Sequence, residues 1–309
     1  MVSLAFSTSK SPRMMEMLRR VELFAKATRS ILILGETGVG KLFIARRIHE
    51  FSSRNLKPFL NCNCAGWSPD LADAQMFGYV RGAYTGAVSD SPGIFGAANG
   101  GTILFDEIGD MPPAIQSKVL KAVDEQVGYR VGSTKEEQYD FRLIAATWRS
   151  IRDADGFRSD LYHRLASLIL EIPPLRERME DLPDLITFMI RKHWKRDIRV
   201  SPAVAKLLGE YTWPGNLREL DNVLYRAFIL SEGGDVELEH IEFDRRLDHG
   251  RAQRRVARRG PKRALTQQQE AEVRQLLDEG AEVPDLARQF SVSGSTIRRA
   301  RESARRKAA

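Results

Sequence analysis

Three glycines and a lysine fall within seven residues at Gly35-Glu36-Thr37-Gly38-Val39-Gly40-Lys41, directly after the apolar run Ile31 to Leu34. Glycine lets a backbone wrap closely around an anion, so that successive N–H groups and the start of a helix face it, and the lysine adds a mobile positive charge. The anion such a loop fits is the β- and γ-phosphate of a nucleoside triphosphate. Further along, Thr102-Ile-Leu-Phe is an apolar run that ends in Asp106 and Glu107. Two carboxylates at a strand end divide the work of phosphate hydrolysis: Asp106 holds Mg2+, and Glu107 orients and deprotonates the attacking water. Leu42 follows the lysine where Ser or Thr would ligate the metal, so the ion must rest on Asp106, phosphate oxygens and water, which suits a cation that keeps much of its hydration shell. The chemistry implied is hydrolysis of ATP.

These residues need a scaffold that brings strand ends together. Pro12 to Thr28 carries apolar residues at helical spacing, Ser30 to Leu34 reads as a strand, and Lys41 to Phe51 as a helix. Phe59 to Cys64, Thr102 to Phe105 and Arg142 to Thr147 read as further strands. Strands alternating with helices predict an α/β fold with a mainly parallel sheet, and such sheets place their ligands at the carboxyl ends of the strands. Pro173 and Pro174 interrupt the alternation, after which Asp181 to Trp194, Pro202 to Tyr211 and Leu217 to Ser231 predict helices with no strand between them. The expected organisation is an α/β subdomain over 1–172, a helical lid over 173–244, a basic linker over 245–264 and a helical unit over 265–309.

Composition excludes several classes. The chain has 309 residues, 42% of them hydrophobic, as expected for globular domains with sizeable cores. No apolar run near the start approaches a bilayer span and no secretory pattern opens the chain, which predicts a cytoplasmic protein without a membrane partner. Cys62 and Cys64 are the only cysteines, too few for a disulfide framework or a zinc site, and read as half-buried thiols. The net charge of +7 is concentrated: Arg245 to Arg263 holds nine Lys or Arg against the single acid Asp248. Such a stretch forms no core and favours a polyanion, either as a linker that touches nucleic acid or as a solvated tether.

The motifs taken in order resemble a known family, the AAA+ P-loop ATPase domain of bacterial enhancer-binding proteins, which activate sigma-54 RNA polymerase. The resemblance runs from about Pro12 to Asp244 and is carried by the phosphate loop, by Phe77-Gly78 leading into Gly82-Ala83-Tyr84-Thr85-Gly86-Ala87, and by Gly100 to Glu107. Phe157-Arg-Ser-Asp-Leu-Tyr-His-Arg164, Pro173-Pro-Leu-Arg-Glu-Arg178 and Trp213-Pro-Gly-Asn-Leu-Arg-Glu-Leu220 complete it. The resemblance implies that Gly82 to Ala87 is the loop that contacts sigma-54, raised or lowered with nucleotide state; alone, those residues read as an ordinary turn. It implies that Arg158 and Arg164 are arginine fingers reaching the γ-phosphate of a neighbouring subunit in a ring, a homo-oligomer such as a hexamer or a mixed ring. A guanidinium supplied in this way is worth ~10³–10⁵ in rate where it operates. It further implies that Arg218 is the lid's nucleotide sensor, that Asn63 restrains Glu107, and that Thr147 ends the first sensor strand.

The chain also departs from the family. Trp148 stands where Asn follows the sensor threonine, Leu42 and Gln75 stand where Glu is common, and Tyr84 replaces Phe. Lys41, Asp106, Glu107 and both finger arginines favour a working ATPase; Trp148 and Leu42 speak for a nucleotide-binding protein with little turnover. The phosphate loop begins at residue 35, which leads to the expectation of no N-terminal regulatory domain and control by a separate protein or by expression.

At the other end, Leu265 to Glu279, Pro284 to Phe290 and Ser295 to Arg306 predict three helices with a tight turn at Ser291 to Ser293, the pattern of a helix-turn-helix. Three-helix bundles without DNA affinity share that spacing. Ser293, Ser295, Thr296, Arg298, Arg299 and Arg301 favour double-stranded DNA, with the third helix in the major groove. This unit resembles the helix-turn-helix of resolvase and invertase recombinases, whose arm is similar to Arg258-Arg259-Gly-Pro-Lys262-Arg263; the resemblance implies that the arm lies in an A·T-rich minor groove. The expected function is that of a DNA-bound, ATP-driven activator of sigma-54 polymerase. The alternatives are a hydrolysis-poor regulator in a mixed ring and an ATPase serving recombination.

Overall fold

The computed structural model describes residues 9–152, 154–194 and 198–243, and further on residues 272, 273, 275–277, 279, 281 and 283–290. The chain divides into two compact units, Met1–Phe243 and Asp244–Ala309.

The first unit is built on five parallel strands: β1 (Ile31–Leu34), β2 (Phe59–Asn63), β3 (Thr102–Asp106), β6 (Arg142–Thr147) and β7 (Leu168–Glu171), in the spatial order β2-β3-β6-β1-β7. The pair β4 (Val127–Tyr129) and β5 (Glu136–Gln138) forms a separate antiparallel ribbon. Apolar side chains on both faces of the central strands reflect cover on both sides. One face packs against α1 (Pro12–Ala25), α2 (Lys41–Glu50) and the lid helices α7 (Leu182–Trp194), α8 (Pro202–Glu210) and α9 (Asn216–Leu230), with Ile31, Ile33, Leu104, Ile144 and Trp213 among its buried members. The other face packs against α3 (Ala72–Phe77), α4 (Gly93–Ala97), α5 (Pro113–Glu125) and α6 (Ser159–Leu165), around Leu32, Phe95, Ile103 and Phe105. Alternation along β3 therefore sends Leu104 into one core and Ile103 and Phe105 into the other.

The sequence-predicted strands form within a residue or two of their expected ends. β7 was not expected, although it lies beside β1 in the register Ile31↔Leu168 to Leu34↔Glu171. Its four residues are too few for a period to show, and a Pro pair follows almost at once. The β4–β5 ribbon and helices α5 and α6 were likewise not anticipated.

In the second unit, Val283–Gln289 is helical, and Val273, Leu277 and Leu286 are buried together. The arm residues Arg258, Arg259, Lys262 and Arg263, and Ser293, Ser295, Thr296, Arg298, Arg299 and Arg301, lie outside the described residues.

Candidate functional site: a phosphate cradle under a helical lid

β1 delivers its carboxyl end into the loop Gly35–Gly40, and the Gly35 N–H donates to Thr147 O at 3.2 Å, tying the loop to the end of β6. Gly38 and Gly40 have φ of 80° and 104°, a left-handed geometry that glycine adopts without strain. α2 then starts at Lys41 with no side-chain cap. Among the described residues the N–H groups of Gly38, Gly40, Lys41 and Leu42 donate to no backbone carbonyl. They are the orphan donors of a helix start, a cradle of the kind that binds phosphate.

Lys41 is buried, and its Nζ donates to Gly35 O at 3.2 Å and faces Glu107 Oε1 at 3.5 Å. Asp106 ends β3 opposite Asn63 of β2, and its Oδ1 accepts the Glu107 N–H at 3.1 Å. Glu107 has φ of 53°, so the chain turns sharply there and aims the side chain back at Lys41. Its second oxygen, Oε2, is buried and has no hydrogen-bond partner. A buried, unpaired carboxylate oxygen is costly unless something polar fills the space beside it, and a water in line with a phosphate meets that need. Among the described residues no three His, Cys, Asp or Glu side chains are grouped to hold a metal, so the donor set fits only an ion shared with phosphate and water.

The lid closes the cleft. Thr37, Gly38, Gly40, Lys41, Leu42, Asp106 and Glu107 line it from below, and Phe188, Met189, Lys192, Leu217, Arg218 and Asp221 from the lid, around a volume of about 360 Å³. Arg218, the residue the resemblance names as the lid's sensor, is among those that line the cleft. Thr147 is buried, and its Oγ1 accepts the Arg149 N–H at 3.1 Å. Trp148 is outside the cleft, 52% exposed, with the Arg149 guanidinium 5.1 Å from its ring centre. Asn63 Oδ1 accepts the Ala65 N–H at 3.0 Å, capping its own turn, and among the described residues Asn63 makes no hydrogen bond to Glu107.

The expected finger residues are not gathered into this cleft. Arg158 forms a two-point pair with Asp160 at 3.0 and 2.7 Å, and Arg164 pairs with Asp124 at 2.7 Å and donates to Val123 O at 3.2 Å. Neither arginine lines the cleft under the lid. Gly82 to Ala87 form a turn, exposed at Gly82, Tyr84, Thr85 and Gly86 and buried at Ala87, in which the Gly82 N–H donates to Ala87 O at 2.9 Å and the Ala87 N–H to Tyr84 O at 3.0 Å. Gly82 and Gly86 have φ of 81° and 109°. Ala83 and Thr85 lie between these points, and Tyr84 rests edge-on against Tyr79 at 5.1 Å, whose hydrogen bond raises the Tyr84 phenol above its ordinary pKa.

Several residues that grip the loop were missed. Arg176 clasps the Glu36 carboxylate with bonds of 2.7 and 2.6 Å, and Asn216 Nδ2 reaches both Glu36 Oε2 and Thr37 O at 3.1 Å. Arg178, almost fully buried and lowered to about pKa 10 by that burial, donates to Val39 O at 3.2 Å. The signal was present in the Pro173–Arg178 and Trp213–Leu220 motifs, but no spacing rule said which way their side chains turn.

Comparison with known proteins agrees with this geometry. Residues 7–171 match the sigma-54 interaction domain and residues 176–257 the AAA+ ATPase lid domain. The chain belongs to the family of sigma-54-dependent activators and carries that family's AAA+ ATPase domain and lid. It is 39% identical over 248 residues to the sigma-54-dependent transcriptional regulator SfnR of Pseudomonas fluorescens, covering 76% of this chain and 68% of that one. It is 44% identical over 236 residues to the formate hydrogenlyase transcriptional activator FhlA of Escherichia coli, covering 74% of this chain but only 34% of that one. The structure of NtrX from Brucella abortus in complex with ATP superposes with a TM-score of 0.70 at 28% identity, covering 96% of this chain and 68% of that one.

Proposed function

We propose that the chain is a DNA-bound transcription activator that hydrolyses ATP in a ring and uses the energy to remodel sigma-54 RNA polymerase through Gly82 to Ala87. The observation that carries the reading is the Glu107 carboxylate, one oxygen facing Lys41 and the other unpaired, at a strand end under a lid, in a chain whose sigma-54 interaction domain, residues 7–171, contains the Gly82–Ala87 turn. In this reading the orphan N–H groups and Lys41 hold the β- and γ-phosphates, and Glu107 takes a proton from the attacking water. Asp106 holds Mg2+, whose charge offsets that of the phosphate oxygens. Arg158 and Arg164 leave Asp160 and Asp124 to reach a neighbour's nucleotide, and Arg218 reports it to the lid.

The subdomains occupy 1–172 and 173–244; the basic stretch 245–264 links them to a DNA-binding helix-turn-helix over 265–309; the ring is a hexamer or a mixed ring; and the protein works in the cytoplasm. Among the described residues no helix is long and apolar enough to cross a membrane.

The test is ATP hydrolysis across a protein concentration series, followed by mixing. Turnover per subunit should climb with concentration and vanish in Glu107→Ala. Mixing Glu107→Gln with the Arg158→Ala/Arg164→Ala variant should restore part of it, because one subunit then supplies the carboxylate and its neighbour the arginines. Turnover that is independent of concentration, or no recovery on mixing, refutes the shared site. For the DNA-binding unit, affinity should fall steeply with salt, Arg298→Ala should blur site choice and Arg259→Ala should weaken all sites; equal loss on every sequence for both would refute that division.

A further inference from the structure

Glu36 occupies the second position of the phosphate loop, yet its carboxylate does not point at the cradle. Its two oxygens are taken by the Arg176 guanidinium at 2.6 and 2.7 Å, and Oε2 also by Asn216 Nδ2 at 3.1 Å. One partner sits on the segment that connects the sheet to the lid and the other on the lid itself. Arg176 lies in the short turn Leu175–Glu177 that follows β7, and Asn216 is the first residue of α9.

Asn216 is completely buried, and its remaining capacity is spent on the same junction. Its Oδ1 accepts the Leu175 N–H at 2.8 Å, and its Nδ2 also donates to Thr37 O at 3.1 Å. The next residue, Leu217, donates its N–H to Gly38 O at 3.1 Å. Trp213 and Asn216 both hold left-handed backbone, with φ of 50° and 54°, so the turn that carries Asn216 is kept in a conformation that non-glycine residues seldom adopt. One amide therefore joins three elements: the phosphate loop, the turn after β7 and the lid.

We propose that Arg176 and Asn216 are positioning residues that act through Glu36, clamping the back of the phosphate loop to the lid so that loop and lid move as one body when nucleotide binds or leaves. The carboxylate is the shared pin. A planar, two-point guanidinium pair fixes the direction of Glu36 as well as its distance, and the Asn216 amide locks the same oxygen to the start of α9. Neither residue touches phosphate; each governs whether the cradle's N–H groups face a common point. A lid rotation cannot proceed without carrying the loop with it or breaking these bonds, so lid angle and phosphate affinity are coupled.

The proposal rests on the ATPase reading for its consequence, and the test separates the two. Glu36→Gln, Arg176→Gln and the double variant are prepared as full-length chains, with Arg176→Lys, which keeps charge and length but not the fork, as the variant that guards against misfolding. Equilibrium binding of a fluorescent ATP analogue is measured together with turnover. Arg176→Gln should weaken binding on the order of tenfold, Arg176→Lys should lose part of that, and the double variant should be no worse than the worse single variant, because both members act through one pair. Hydrogen exchange on the nucleotide-free proteins supplies a readout independent of ATP. Exchange should quicken by a similar factor in Gly35 to Lys41 and in Trp213 to Leu217 when either partner is replaced. Unchanged affinity, losses that multiply in the double variant, or faster exchange in one segment alone would overturn the clamp. A wild-type chain that binds no nucleotide would refute the ATPase reading, and the exchange measurement would still decide the clamp.

Discussion

Gly38→Ala tests the seat of the phosphate loop most directly. Gly38 has φ of +80°, where an alanine costs about 1–2 kcal/mol. A Cβ at this position would fall inside 3.0 Å of the Gly215 carbonyl oxygen and 3.1 Å from the Arg218 Cβ. The carbonyl cannot simply turn away, because it accepts the Glu219 N–H at 3.2 Å while the Gly215 N–H donates to Glu219 Oε2 at 2.7 Å. Relief must come from backing the lid off the loop, which stretches the Leu217 N–H to Gly38 O bond and the Asn216 to Thr37 O bond, both 3.1 Å. Weakening each of these two hydrogen bonds costs about 0.5–1 kcal/mol, so strain and weakened bonds together come to about 2–4 kcal/mol. If that falls on the nucleotide-competent arrangement, affinity for a fluorescent ATP analogue drops roughly 30- to 1,000-fold in an equilibrium titration. Gly156→Ala is the control: its φ is +85°, but nothing lies within 4 Å of the added methyl, so ATP affinity should hold while backbone strain is similar. A Gly38→Ala chain that binds within about threefold of wild type would refute the idea that this close contact of loop and lid is the binding arrangement.

Other expectations follow from single environments. Trp148→Asn should leave the melting temperature nearly unchanged, because the ring is half exposed and its Arg149 contact is worth about 0.5–1 kcal/mol, while phosphate release should speed up; slower release would mean that the indole serves the site. Trp213→Ala should lower the unfolding free energy by about 3–5 kcal/mol in urea titration, because the ring is wholly buried and its Nε1 donates to Leu208 O at 2.9 Å; a loss under about 1 kcal/mol would refute its place in the shared core. Burial pushes the Cys62 thiol up to about 11 from its ordinary 9.0, and Cys64 further still. A raised thiol pKa lowers the thiolate fraction at pH 8, so Cys62 should react with a disulfide reagent roughly a hundredfold more slowly than an ordinary thiol, with the rate rising until about pH 11. Rapid labelling of the folded chain at pH 8 would contradict this.

The phosphate loop and the acidic strand end were legible because local rules decide both: glycine for curvature, an apolar run for the strand, charge at its end. The lid helices were legible from their periodicity. β7 was not, because four residues carry too little pattern and only its pairing with β1 makes it a strand. Arg176, Arg178 and Asn216 lie inside legible motifs, but local spacing gives them no role, because their partners Glu36, Val39 and Thr37 are more than a hundred residues away in the chain. Asn63 shows the converse: a role carried from a resemblance names a partner, while the hydrogen bond its Oδ1 makes goes to its own turn.

Glu107 combines left-handed backbone with a buried, unpaired oxygen. Both features work against the folded state, with the 3.5 Å pairing of the other oxygen to Lys41 set against them, and a glycine would remove both at once: no Cβ to crowd the turn and no carboxylate to desolvate. Random substitution screened for stability alone should therefore drift toward Glu107→Gly, and a thermally hardened version of this chain should tend to be a chemically silent one. A population under selection for turnover has to hold Glu107 against that drift, so the position measures how strongly the chemistry is being maintained.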